Sequence, residues 1–285
     1  MRIVHFVAVN YHGAGQIGPF LASLRDQTSA EWSMTIVDNS EDPAEADELR
    51  ALTADEKHID VVATPRNLGY FGAARWWYGQ VADPTFTWLV VGNLDLSLER
   101  GFVEQLVATD HGQYASAPAV THFPGGYQQN PFMVGRPSLW SMRLRALGFH
   151  WRTTARLYAW ASATVSAAVS AAASAIAARR RRPVPPDRAR TIYAAHGSII
   201  PIHRRYFDAG GTLDHRPFMF GEEIALAEQV RRLGGSIRFE PSLRATHRAN
   251  QATGTKRSKT IWRMQRDATR NSYRLIRMGE PAGPP

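Results

Sequence analysis

The chain has 285 residues, 44% of them hydrophobic, which is enough to bury a full core and excludes a largely disordered protein. It has no cysteine, so a disulfide scaffold and a Cys-ligated zinc site are both excluded. The formal net charge of +9 favours an anionic partner: nucleic acid, a phosphorylated substrate or an anionic membrane face. The surplus Arg and Lys gathers in residues 136–190 and 255–278.

The apolar run at residues 4–9 stops at Asn10 and reads as a first buried strand rather than a signal peptide. Pro19 then opens a helix at a tolerated first-turn position. Residues 34–37 form a second strand ending at Asp38, and residues 41–50 suit an exposed helix. A third strand at 59–62, a helix at 72–81 and a fourth strand at 86–91 follow. This alternation predicts an α/β sandwich around a mainly parallel sheet.

Residues 136–190 interrupt the pattern. They are rich in Ala, Ser and Arg and close with Arg179-Arg180-Arg181-Arg182-Pro183. They read as an insertion of one or two helices. Trp151, Tyr158, Val165, Val169 and Ile176 recur on one helical face, compatible with packing on the same domain, a membrane contact or a dimer contact. The stretch 155–178 is long enough to span a bilayer, but its Ala and Ser content makes it a poor span. Strand-like segments resume at 191–193 and 198–200.

Gly13-Ala14-Gly15-Gln16-Ile17-Gly18 matches a dinucleotide-binding fingerprint, with Asp38 at the end of the next strand. Asn10, Tyr11 and His12 separate the strand from the first Gly. A helix N-terminus so displaced does not face a pyrophosphate. The oxidoreductase reading therefore ranks as an alternative. A non-catalytic basic module for membrane or nucleic acid is a second.

Five motifs carry a better reading. They are Val9-Asn10-Tyr11-His12; Val37-Asp38-Asn39-Ser40; Arg66-Asn67-Leu68-Gly69-Tyr70 with Arg75; Gly92-Asn93-Leu94-Asp95; and Phe218-Met219-Phe220-Gly221-Glu222-Glu223, with His247 further on. In this order the chain resembles the family 2 glycosyltransferases of GT-A fold, over residues 1–135 and 191–250, and among them the rhamnosyltransferase-like enzymes of bacterial polysaccharide biosynthesis. The resemblance implies a GT-A (Rossmann-like) catalytic domain at 1–250, interrupted by the helical insertion, and a basic helical tail at 251–285.

That family transfers sugars from nucleoside-diphosphate donors. The leaving diphosphate accumulates charge, which a divalent cation stabilises. Mn²⁺ or Mg²⁺ favours carboxylate oxygen, and Mn²⁺ also accepts imidazole, so Asp95 and His247 are the expected ligands. Asp95 could instead cap a helix beginning at residue 96. Asn93 stands where the family often has Asp and is assigned to donor contact. Val9, Asn10, Asp38, Asn67, Gly69 and Arg75 complete the donor side, although Arg75 could equally pair with a surface carboxylate. The acceptor hydroxyl needs a base. A carboxylate in an apolar setting suits this, and the choice is Glu223 first, then Glu222. His196, Gly197 and Asn130 are expected at the acceptor.

The last segment interleaves Arg263, Arg266, Arg270, Arg274 and Arg277 with Ile261, Trp262 and Tyr273, which predicts an amphipathic basic helix. The resemblance favours an anionic membrane over nucleic acid as its partner, and a glycan or polyprenyl-linked acceptor. The expected setting is the cytoplasm, at the inner face of the cell membrane. Homo-oligomerisation is left open.

Overall fold

The computed structural model describes residues 3–81, 85–155, 188–248 and 259–279. The chain forms two compact units: residues 1–136 with 189–252, and residues 137–188 with 253–285.

The first unit is built on one nine-stranded sheet. Its strands are β1 (Val4–Asn10), β2 (Trp32–Asp38), β3 (Ile59–Ala63), β4 (Trp88–Asn93), β5 (Leu96–Leu98), β6 (Ala115–His122), β7 (Arg190–Ile192), β8 (Ile199–His203) and β9 (Ile237–His247). The order is β3-β2-β1-β4-β8-β6-β9-β5, with β7 also pairing with β9. Strands β1–β4, β6 and β9 share one direction, and β5, β7 and β8 run against it. The result is a mixed, mostly parallel sheet of GT-A (Rossmann-like) type.

Helices α1 (Gly18–Arg25), α2 (Pro43–Leu52), α3 (Tyr70–Tyr78), α4 (Phe102–Ala108), α6 (Arg204–Asp208) and α7 (Glu222–Arg232) also belong to this unit. The strands alternate between two cores, as a sheet covered on both faces requires. Val4, Phe6 and Ala8 join Trp88 and Val90 against Phe20, Leu49 and Phe102. Val7 joins Leu89 and Val91 against Phe71, Ile200 and Leu226. Each large side chain so buried contributes roughly 1.5–3 kcal/mol.

Two details bear on alternatives that the sequence offered. Residues 96–98 form strand β5 and not a helix, so Asp95 caps no helix there. In the dinucleotide fingerprint Gly13 is tight, with a Cβ there 3.1 Å from Asn10 Oδ1, but the other two glycines are not crowded. A Cβ on Gly15 or Gly18 would meet nothing within 4 Å, and a 3-10 turn at Ala14–Gln16 stands between β1 and α1. The close helix–strand packing that the last glycine of that fingerprint serves is not found at Gly18.

The second unit contains α5 (Leu139–Gly148) and α8 (Lys259–Met278), which pack together. Trp262 Nε1 donates to the Phe149 carbonyl at 3.2 Å. Helix α8 buries Ile261, Ala268, Thr269, Ser272 and Ile276, while Arg263, Arg270, Arg274 and Arg277 are exposed. Of the face proposed within the insertion, only Trp151 lies among the described residues; Tyr158, Val165, Val169 and Ile176 lie outside them.

Candidate active site

Strands β1, β2 and β4 end together, with Asn10 opposite Asp38 and Val9 opposite Asn93. In parallel sheets the ligand crevice lies beyond this carboxyl edge. Asn10 is fully buried. Its amide nitrogen lies 2.9 Å from Asp38 Oδ1 and 3.0 Å from Glu45 Oε1, and its oxygen accepts from Gly13 N at 3.0 Å. Asp38 Oδ1 also accepts from the Ser40 hydroxyl at 2.6 Å. Next to it, Asn39 donates to Asn67 Oδ1 at 2.8 Å and accepts from Leu68 N at 2.8 Å. This network fixes the loops after β1, β2 and β3 relative to one another. Val9 is half-buried against the core.

Asp95 follows β4 directly. His247 ends β9, and the pairing of β9 with β5 sets His247 opposite Leu96. That register brings His247 Nε2 to 3.2 Å from Asp95 Oδ1. On the other side of the ring, Nδ1 meets Gln129 Oε1 at 3.0 Å, and Asn93 Nδ2 lies 3.2 Å from Nε2. An amide oxygen only accepts and an amide nitrogen only donates. In the neutral tautomer that satisfies both contacts, Nδ1 donates to Gln129 and the Nε2 lone pair accepts from Asn93, with Asp95 Oδ1 alongside. A nitrogen lone pair and a carboxylate oxygen converging at this distance fit a divalent cation. Among the described residues no group of three His, Cys, Asp or Glu could hold one. Among the described residues Asp95 and His247 are a pair, and a pair of ligands suits a hard cation that keeps waters and substrate phosphates.

The acids lie in the first turn of α7, after Gly221 in the left-handed region. Phe220 also has positive φ, and His215 Nε2 donates to its carbonyl at 3.0 Å. Glu222 is buried. Burial, and then the neighbouring Glu223, push its carboxyl up to about 8. Its Oε2 has no hydrogen-bond partner; His215 Nε2 is 3.8 Å away. Glu223 is half-buried, and a Cβ on Gly197 would come within 3.0 Å of its Oε1. Gly197 therefore leaves room directly in front of Glu223. Tyr70 opens α3, and its buried hydroxyl has no partner. Its pKa is raised well above the ordinary value, by burial first and then by Glu222, Glu223 and Asp95. Geometry links the two pairs: Gly197 sits against Glu223, and the ring of the neighbouring His196 lies 6.3 Å from that of His247. Gly69 has φ +75, and a Cβ there would lie 2.0 Å from the Phe218 carbonyl.

The remaining candidates are placed as follows. Arg75 pairs with exposed Asp214 at 2.9 Å. Asn130 is buried, donates to Pro118 O at 2.9 Å and accepts from His196 N at 2.8 Å. It therefore positions His196. The His196 ring accepts from Ser198 N at 3.1 Å, and burial, then His247 and His122, hold its pKa down to about 4. Tyr70, His215, Asn39 and Glu45 were not singled out from sequence. Only Tyr70, directly after Gly69, carried a local signal.

A sequence search finds no match among curated proteins. The model of glycosyl transferase family 2 matches residues 6–165. Several solved structures resemble the chain. One is GalNAc-T7 with UDP, GalNAc and Mn²⁺, at TM-score 0.59 and 13% identity, covering 88% of this chain and 44% of that one. A second is the mannosyltransferase PcManGT from Pyrobaculum calidifontis with GDP-Man and Mn²⁺, at TM-score 0.55 and 12% identity, covering 99% and 66%. A third is residues 1–349 of S. aureus TarS, at TM-score 0.53 and 10% identity, covering 86% and 60%. The chain spans less than two thirds of each. The fold is of GT-A type. The chain belongs to glycosyl transferase family 2.

Proposed function

We propose that the protein transfers a sugar from a nucleoside-diphosphate donor, dTDP-rhamnose or a UDP-sugar, to a hydroxyl of a growing surface glycan or polyprenyl-linked glycan. The transfer is a single displacement with inversion. It takes place in the cytoplasm, at the inner face of the membrane. The observation that carries this reading is the meeting of Asp95 and His247 at the carboxyl edge of the sheet, with His196 beside His247 and Gly197 against Glu223. The Mn²⁺ in two of the structural neighbours supports the cation assignment.

Asn10, Asp38 and Asn67 shape the nucleotide side, and Asn93 and Gly69 border the donor sugar. Asp95 and His247 would hold the Mn²⁺ or Mg²⁺ that neutralises the leaving diphosphate. Arg75 would have to release Asp214 to reach phosphate. Glu223 takes the acceptor proton. Glu222 stays protonated near neutral pH and so does not compete for that proton. Gly197 and His196, held by Asn130, border the acceptor hydroxyl. The deciding test is calorimetric titration with UDP, dTDP, GDP and NAD, with and without Mn²⁺. The expected result is metal-dependent binding of UDP or dTDP that Asp95→Ala abolishes. NAD binding indifferent to metal would overturn the proposal.

A further inference from the structure

The charge of the chain is divided sharply between its two units. Residues 137–188 and 253–285 hold seventeen Lys and Arg against three Asp and Glu, a net +14. The chain totals +9, so the catalytic unit carries net −5. The basic unit also shows an unusual helix. Met142 is buried, and Phe149, just past the helix end, is half-buried and accepts the Trp262 hydrogen bond on its carbonyl; their spacing of seven puts both on one side of α5. Trp140, Leu144 and Leu147, at intervals of four and three residues, line the opposite side and are 63%, 45% and 54% exposed. Trp151, in the turn after α5, is 61% exposed. Exposed Arg143 and Arg145 flank the stripe, and Arg143 lies over the Trp140 ring.

A helix that is apolar on its packed side and again on its outer side has a second surface to cover. Tryptophan and leucine in the middle with arginine at the edges match the boundary between acyl chains and anionic headgroups. Among the described residues no helix is long and apolar enough to cross a membrane, so contact through α5 would be lateral. We propose that the outer face of α5 docks in the interface of an anionic lipid bilayer. Trp140, Leu144, Leu147 and Trp151 enter it, and the positive charge of this unit is drawn to its headgroups. A nucleic acid would use the arginines and leave the leucines without a role. A second copy of the chain would bring like charge to like charge.

The test is sedimentation of the full chain with phosphatidylcholine vesicles containing or lacking phosphatidylglycerol. Tryptophan quenching by brominated lipid is read alongside. Binding should require phosphatidylglycerol and weaken with salt. Trp140→Ser with Leu147→Ser should reduce binding on the order of tenfold or more, and Arg143→Glu with Arg145→Glu several-fold. Trp140→Phe should retain it. These side chains are exposed, so circular dichroism and metal-dependent nucleotide binding should be unchanged in every variant. Failure of the transferase reading would appear in nucleotide binding and leave vesicle binding intact. Equal binding to both vesicle types overturns the proposal. So does binding that survives Trp140→Ser with Leu147→Ser, or a light-scattering dimer that those changes dissociate while no vesicles bind.

Discussion

On the β1–β2 side of the cleft, buried Asn10, Asp38 and Ser40 and half-buried Glu45 satisfy one another within 3.3 Å. On the α7 side, Glu222 Oε2, the Tyr70 hydroxyl and His215 Nδ1 are buried without a hydrogen-bond partner. An unpaired buried polar atom costs about 1–3 kcal/mol. The first side is thus rigid framework. The second holds unsatisfied polarity, as expected where substrate, cation and proton are to be accommodated. The contrast separates residues that shape the crevice from residues that act in it.

The largest effect should come from the acting side. Glu223→Gln should lower transfer by roughly 10²–10⁴-fold, because it removes the base. Nucleotide binding by calorimetry should be unchanged. Loss of both together would move Glu223 into donor binding. The framework side should answer in stability. Asn10→Ala strips a charged hydrogen bond from buried Asp38 and should cost about 2–3 kcal/mol, read as a lower midpoint of chemical unfolding.

Glu222 gives a signed pH effect. Its carboxyl titrates near 4.5 as a free side chain and near 8 in the fold. Between these values the folded chain keeps a proton that the unfolded chain has released, so Glu222 lowers stability as pH rises through this window. Glu222→Gln should therefore melt progressively higher than the parent from pH 5 to pH 8, with the difference vanishing near pH 4. A constant difference would show that the carboxyl is ionised throughout. The smallest effect belongs to Tyr70→Phe. It removes an unpartnered hydroxyl and should leave stability unchanged or raise it by up to about 1 kcal/mol. Transfer should nevertheless fall if that hydroxyl meets substrate.

Much of the first unit was legible because local rules were obeyed. Strands β1, β2 and β4 are short, largely apolar runs that end in polar residues, and Pro19 stands in the first turn of α1. Strand β9 was harder. Its eleven residues mix Arg238, Glu240, Pro241 and Arg244 into the apolar pattern. The charges are tolerated because Arg238 pairs with Glu240 and the register with β6 shifts between Pro118 and Ala119. Strand β5 is three residues long, too short for any periodicity to declare it. The Gly13–Gly18 run shows the opposite failure. It fits a pattern whose last glycine serves close helix–strand packing, and Gly18 makes no such contact.

The sequence by itself determined the α/β alternation, the order of the motifs and the acidic and amide residues at the strand ends, because periodicity and terminal polarity are local properties. The basic character of residues 259–278 was determined in the same way. Tertiary structure alone decided that His247 meets Asp95, since that contact depends on the pairing of β5 with β9. It also decided that Glu222 holds its proton, because burial and a second carboxylate must coincide at one point. Finally it set α5 against α8, more than a hundred residues apart in the chain, leaving Trp140, Leu144 and Leu147 on the outside. Which side of a helix faces inward is settled by its neighbour, and the neighbour of α5 is remote in sequence.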